Sequence, residues 1–282
     1  MALADKNTVT TEFSKNYSHL RAYFDSNPID NTVFLNVHEY VHTQQKSTIG
    51  NDLLTQCVME GVAEFMAVKT MEIPSPNQCI DFGKKNAAAL KAAFVKEMLS
   101  EDFDNWLWNT FDNPFKMRDL GYYMGYAICE KYYNEAKDKS RAIKEMIELD
   151  YNNEAALSKF VDKSGYFPKS IKAYRKLVPT IVGIKEFKNG DKNVDFNIKQ
   201  VTITFSKKMN TASHGFDFGD LGEPNVLSVK KFIGFSEDGK SVSFEVDMKP
   251  NKRYQLLVTS RFMDENGFTL KPYLVDITTK AP

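Results

Sequence analysis

At Val178-Pro179 the chain changes texture, and that change constrains the fold more than any other feature. Before it, apolar residues recur every three or four positions, the period of helices with one buried face. After it come short runs rich in β-branched and aromatic residues, at 180–187, 201–205, 229–235, 242–246, 254–258 and 275–278. Asn189-Gly190, Asp238-Gly239 and Asn266-Gly267 punctuate these runs as turn signals. About seven strands in about 105 residues is the pattern of a β-sandwich. The reading is an α+β multidomain chain, with a mainly α-helical domain over 1–177 followed by an all-β sandwich over 178–282.

Within the first part, residues 10–26 read as a helix with Phe13, Tyr17, Leu20 and Phe24 on one side, broken by Asn27-Pro28. A second helix begins near Asp30 or Asn31, carries Val33, Phe34, Val37 and Val41 on its apolar side, and ends near Gly50. Asn51-Asp52 caps a third, which runs to about Met71 and stops before Pro74 and Pro76. The helical reading continues over 81–177, with a short segment from Ser100 carrying Trp106 and Trp108 and a turn at Asp112-Asn113-Pro114, and is strongest at 119–137, where Gly121 and Gly125 allow close approach to a neighbour.

The second helix contains His38-Glu39-Tyr40-Val41-His42. Positions four apart lie on one face of a helix, so His38 and His42 can grip one metal ion while Glu39 reaches a water beside it. On the third helix Glu60 and Glu64 share a stripe with Leu53 and Cys57. A carboxylate among residues that seek burial is costly unless a cation meets it, and this points both acids toward the metal.

The string Glu60-Gly61-Val62-Ala63-Glu64, following His-Glu-Tyr-Val-His, resembles the gluzincin zinc metallopeptidases, and within them the collagenase-like and alanyl-aminopeptidase-like branches. The resemblance implies Zn²⁺ held by His38, His42 and Glu60, with Glu64 orienting a ligating histidine and Glu39 as general base. It implies a hydrolase acting on a protein or peptide substrate. Tyr122, in Tyr122-Tyr123-Met124-Gly125, lies 62 residues after Glu60 and matches the tyrosine that stabilises the oxyanion, with Tyr123 as the neighbouring alternative. The string Asp119–Tyr126 is similar to that of predicted bacterial secreted zinc proteases. Val201–Met209, Met263–Gly267 and Asp276–Thr279 resemble bacterial Ig-like modules appended to secreted hydrolases. That resemblance implies a secreted, periplasmic or cell-surface location, with cell-surface or matrix contact through the Ig-like part.

Two features depart from the family. Residues 1–36 carry no Gly-x-Met-Glu-Asn string of the kind that anchors a free amine, so aminopeptidase action has no support. They also read helical where gluzincins place a sheet, so either the domain is minimal or the chain starts inside one lacking its N-terminal sheet. The rival reading is accordingly a non-catalytic surface binding or adhesion protein that keeps zinc in a degenerate or truncated peptidase fold.

Composition closes other routes. Lys+Arg and Asp+Glu both number 37, which gives no basic excess for nucleic acid. No apolar run is long enough for a transmembrane segment, and no signal peptide is visible at the start. Cys57, Cys79 and Cys129 have unmatched spacings and read as buried free thiols. His19 and His214 lack metal-spaced partners, and the Asp264-Glu265 turn reads as solvated.

Overall fold

Polar side chains at helix starts mark out the first half of the protein. A computed structural model describes residues 28–46 and 50–282; the helix expected over 10–26, and His19, lie outside them. A 3₁₀ turn, Pro28–Asn31, leads into α1, Thr32–Gln44. Helix α2, Leu53–Met71, starts where expected: the Asp52 carboxylate accepts the Thr55 N–H at 3.0 Å, satisfying a donor that has no partner within the helix. It ends at Glu72, which adopts left-handed geometry (φ 55°) just before Pro74. Then follow α3 (Gln78–Lys85), α4 (Ala87–Glu97), α5 (Leu120–Glu135), α6 (Lys139–Ile147), α7 (Glu154–Ser164) and the short α8 (Ile171–Arg175). Asn77, Asp138 and Asn153 cap α3, α6 and α7.

Residues 101–118 form turns rather than helix, including the turn expected at Asp112-Asn113-Pro114. Polar side chains there compete successfully for the backbone. Asn113 is buried and its amide donates to the carbonyls of Thr110 and Met117, both at 2.9 Å. The Asn109 side chain accepts the Asp119 N–H at 2.8 Å. Trp106 anchors the segment in the core, its ring 4.9 Å from that of Phe94.

Helix α2 is buried on nearly all sides, so its neighbours are built around it. Its closest partner is α5, and two glycines explain why. A Cβ placed on Gly125 would lie 1.7 Å from the Cys57 carbonyl oxygen, and one on Gly61 would lie 2.0 Å from the Gly125 carbonyl carbon. The two helices therefore touch backbone to backbone, as the Gly121/Gly125 spacing suggested.

The chain divides into two compact units. One runs to Phe94 and resumes at Asp102–Lys172; the other comprises Val95–Glu101 and Ala173–Pro282. The second holds two sheets in which every strand pairs antiparallel with its neighbours. One sheet has the order β1 (Ile181–Ile184), β2 (Gln200–Phe205), β5 (Ser241–Glu245), β4 (Lys231–Phe235). The other has the order β3 (Phe216–Asp217), β6 (Arg253–Val258), β7 (Tyr273–Thr278). Alternation along β2 turns Val201, Ile203 and Phe205 inward, and with Phe244, Leu256 and Ile277 they share one core between the two sheets. The two-residue β3 was too short to register as a strand in the sequence.

Two polar expectations for this unit meet different outcomes. His214, read as structural or exposed, is exposed and stacks on Phe232 with centroids 4.1 Å apart. Asp264 is not solvated but buried, because its carboxylate closes its own turn by accepting the N–H groups of Asn266 and Phe268, both at 2.9 Å. The three cysteines are free and buried. No helix among the described residues is long and apolar enough to cross a membrane.

Replacing Gly125 by Ala puts a methyl group into the Cys57 carbonyl. We expect at least about 3 kcal/mol of destabilisation, the upper end for overpacking, since backbone rather than a side chain must yield. Chemical denaturation of the variant measures it.

Candidate metal centre

Helix α1 presents His38 and His42 on one face, and α2 brings Glu60 up beneath them. The His38 Nε2 to His42 Nε2 distance is 3.1 Å, and each nitrogen is 3.3 Å from Glu60 Oε2. Ligands about 2.0–2.2 Å from a tetrahedral ion lie about 3.3–3.5 Å from one another. The triangle is thus close to the face of a small coordination tetrahedron, formed by two imidazoles and one carboxylate. His38 and Glu60 are buried and His42 is half-buried, so competing water is scarce on the protein side. The donor set fits a divalent transition ion.

Each histidine is oriented through its other nitrogen. His38 Nδ1 lies 3.1 Å from Glu64 Oε2, and the other oxygen of the buried Glu64 accepts the Ser75 hydroxyl. His42 Nδ1 lies 2.7 Å from Gln45 Oε1, while the Gln45 amide donates to the Met59 carbonyl (3.1 Å) and to the Tyr151 hydroxyl (3.0 Å). Such partners hold the ring angle and leave Nε2 free to ligate. Ser75, Gln45 and Tyr151 were missed in the sequence. Only Gln45 carried a signal, three residues after His42 and so on the same side of the helix.

Glu39 is exposed beside His38 and makes no hydrogen bond or ion pair with the described residues. It is not part of the ligand triangle. Tyr122, in the first turn of α5, has its ring centroid 6.0 Å from that of His38. Tyr123 is buried on the opposite side against Gly83, where an added Cβ would strike its ring at 2.0 Å. Of the two tyrosines, only Tyr122 reaches the centre.

Burial opposes charge on His38, but hydrogen bonds and the charges of Glu60 and Glu64 outweigh it and raise its pKa to about 9. Burial likewise opposes ionisation of Glu60, and the two histidines overcome it, lowering its pKa to about 2. His42 moves up for the same reason as His38. Burial and the nearby carboxylates drive the Tyr122 phenol far above its ordinary value, so it keeps its proton.

No protein-family model matches the sequence, and no curated protein matches it. Among solved structures, the chain is similar to the N-terminal part of the bacterial S-layer protein SbsC, at 18% identity and a TM-score of 0.29, over 56% of this chain and 38% of that one. SbsC domains 1–6 match at 12% identity and a TM-score of 0.25, over 99% of this chain and 33% of that one. The chain thus spans about a third of the length of these proteins, and scores this low establish no shared fold. The centre stands on its own geometry.

Two outcomes follow from that geometry. Glu60→Gln removes a ligand and should weaken zinc binding far more than Glu64→Gln, as a competition titration with a chromophoric chelator would show; equal losses would exchange their roles. The second concerns pH. With its folded pKa raised from 6.5 to about 9, His38 contributes stability that is complete below pH 6.5 and is lost as pH rises through 9. Glu60, lowered from 4.5 to about 2, contributes above pH 4.5 and loses its share as pH falls through 2. Metal-free protein should therefore show its thermal midpoint falling from pH 6.5 to 9, while zinc affinity rises over the same span because proton and metal compete for His38.

Proposed function

We propose that the chain is a zinc-dependent endopeptidase of gluzincin type, carrying an Ig-like sandwich and working outside the cell or at its surface on protein or peptide substrates. The observation that carries this reading is the triangle of His38 Nε2, His42 Nε2 and Glu60 Oε2, with the exposed Glu39 next to His38 in the chain and the protonated Tyr122 phenol close to His38. Placement outside the cell rests on the likeness of residues 178–282 to modules of secreted hydrolases.

Zinc, when bound, supplies a Lewis acid that polarises the scissile carbonyl and makes a water acidic enough to deprotonate near neutral pH. Glu39, exposed and adjacent to His38, takes the proton from the attacking water and returns it to the leaving amine. Tyr122 donates its O–H to the oxygen that gains negative charge. Its raised pKa suits a donor that must stay protonated. Glu64 and Gln45 act through the histidines by fixing their tautomer and angle.

Cleavage of an unfolded protein by the zinc-loaded chain tests the reading. Glu39→Gln should abolish turnover while retaining one zinc per chain, and Tyr122→Phe should lower kcat by about 10²-fold, as loss of an oxyanion donor does elsewhere. Should wild type and Glu39→Gln be equally inert with zinc bound, the non-catalytic surface-protein reading takes its place.

A further inference from the structure

Away from the metal centre, the second unit carries large apolar side chains that its own core does not use. On β6 the core takes Tyr254, Leu256 and Val258, so Arg253, Gln255 and Leu257 turn to the outer face of the three-stranded sheet. The same alternation on β7 puts Leu274 and Asp276 outside. Leu257 and Leu274 stand opposite each other in register, half-buried and apart from the sandwich core. Phe218, 52% exposed, and Leu221, 37% exposed, belong to the loop that crosses this face.

That loop is held in place throughout. The chain leaves the sheet edge at Asp217, opposite Leu257, and rejoins it at Val226, opposite Gln255. Between them the buried Gln255 side chain fastens it: Oε1 accepts the Leu221 N–H at 3.0 Å, while Nε2 donates to Asp276 Oδ2 at 2.9 Å. Gly219 permits this approach, since a Cβ there would lie 2.5 Å from Gln255 Oε1 and 2.7 Å from Leu274 Cδ1. The Gly222 N–H closes a turn on the Gly219 carbonyl at 2.9 Å. A 3₁₀ turn, Glu223–Asn225, follows, and its Pro224 carbonyl accepts Lys252 Nζ at 2.6 Å. A loop already fixed loses little entropy when a partner binds, so Phe218 and Leu221 are presented ready for contact.

The charges around them all have one sign. Asp217, Asp220 and Glu223 alternate with the apolar residues along the loop, and all three are exposed. No lysine or arginine occurs over 209–229, although Lys207-Lys208 and Lys230-Lys231 stand on either side of it. An apolar centre with a charged rim is the anatomy of a protein-binding surface, and the sign of the rim selects its partner. A negative rim repels the anionic surface of a membrane and attracts a cationic chain.

We propose that the loop 216–226, on the outer face of the three-stranded sheet, is a docking surface for a basic polypeptide. Phe218 and Leu221 enter apolar positions on the partner, and Asp217, Asp220 and Glu223 pair with its lysines or arginines. The surface is independent of the metal centre and stands whether or not the chain is a peptidase.

A fluorescein-labelled peptide of leucine and lysine at helical spacing probes this chemistry, with a leucine–glutamate peptide as control. Anisotropy should show the lysine peptide binding the full chain, more weakly as salt is raised, and the glutamate peptide not binding. Phe218→Ala should weaken the lysine peptide about tenfold or more, as loss of an aromatic anchor does. Asp220→Lys should weaken it about three- to tenfold at low salt and little at high salt. Both residues are exposed, so each variant should keep the wild-type thermal midpoint; if one fails to fold, the other carries the test. No binding by wild type, equal binding by a folded variant, or equal binding of the glutamate peptide would overturn the proposal. So would flotation on phosphatidylcholine vesicles that Phe218→Ala abolishes, which assigns the patch to a membrane. Self-association in sedimentation velocity that Phe218→Ala abolishes would assign it to a second copy instead and sink the basic partner.

Discussion

The contact between α2 and α5 at Gly61 and Gly125 is the constraint on which the helical unit depends. A glycine inside a helix costs about 1 kcal/mol relative to alanine, and α5 carries two, at Gly121 and Gly125, facing a third at Gly61. That cost is offset by a packing distance no side chain would permit. Glu60 precedes one glycine directly and Tyr122 stands one turn before another, so the contact that joins the helices also sets the phenol beside His38. The Glu-Gly pair thereby acquires a mechanical reason: the acid faces the centre because its neighbour has nothing to put between the two helices.

Around that contact, polar groups that would be costly if left alone are joined into one connected set. Glu64 and Glu60 are buried, as are Gln45 and Tyr151, and each has partners. The Tyr151 hydroxyl donates to the Met146 carbonyl at 2.9 Å, so the set runs from α1 through Gln45 to the end of α6. A fully satisfied buried network rigidifies what it joins. The imidazoles are therefore held from two directions, by α2 through Glu64 and by the 146–151 segment through Gln45.

Much of this was legible in the chain itself, and the reason differs by element. Asp52, Asn77, Asp138 and Asn153 cap helices through their own side chains, a local signal that needs no tertiary knowledge. The alternation in β2 and the Asn-Gly and Asp-Gly turns are equally local; Gly190, Gly239 and Gly267 all take positive φ. His38, His42 and Glu60 come together as their spacing and the stripe on α2 suggested. What stayed hidden depends on side chains meeting across distance. Asn113 fastens its turn to the carbonyls of Thr110 and Met117, Ser75 reaches Glu64 from beyond a proline, and Tyr151 reaches Gln45 across more than a hundred positions. Asp264 misled because an acidic turn looks the same in sequence whether its carboxylate faces water or its own backbone.

The buried pair Glu60 and Glu64 has one more consequence. Around them the described ion pairs are to His38 and His42 and to no lysine or arginine. Two carboxylates carry two negative charges, and two protonated imidazoles carry two positive ones; so does a single divalent ion between neutral imidazoles. The interior is electrically the same whether two protons or one such ion occupy it. Loading is then an exchange at constant charge, in which the chain can complete its fold on protons alone and accept the ion afterwards without rebuilding anything around it.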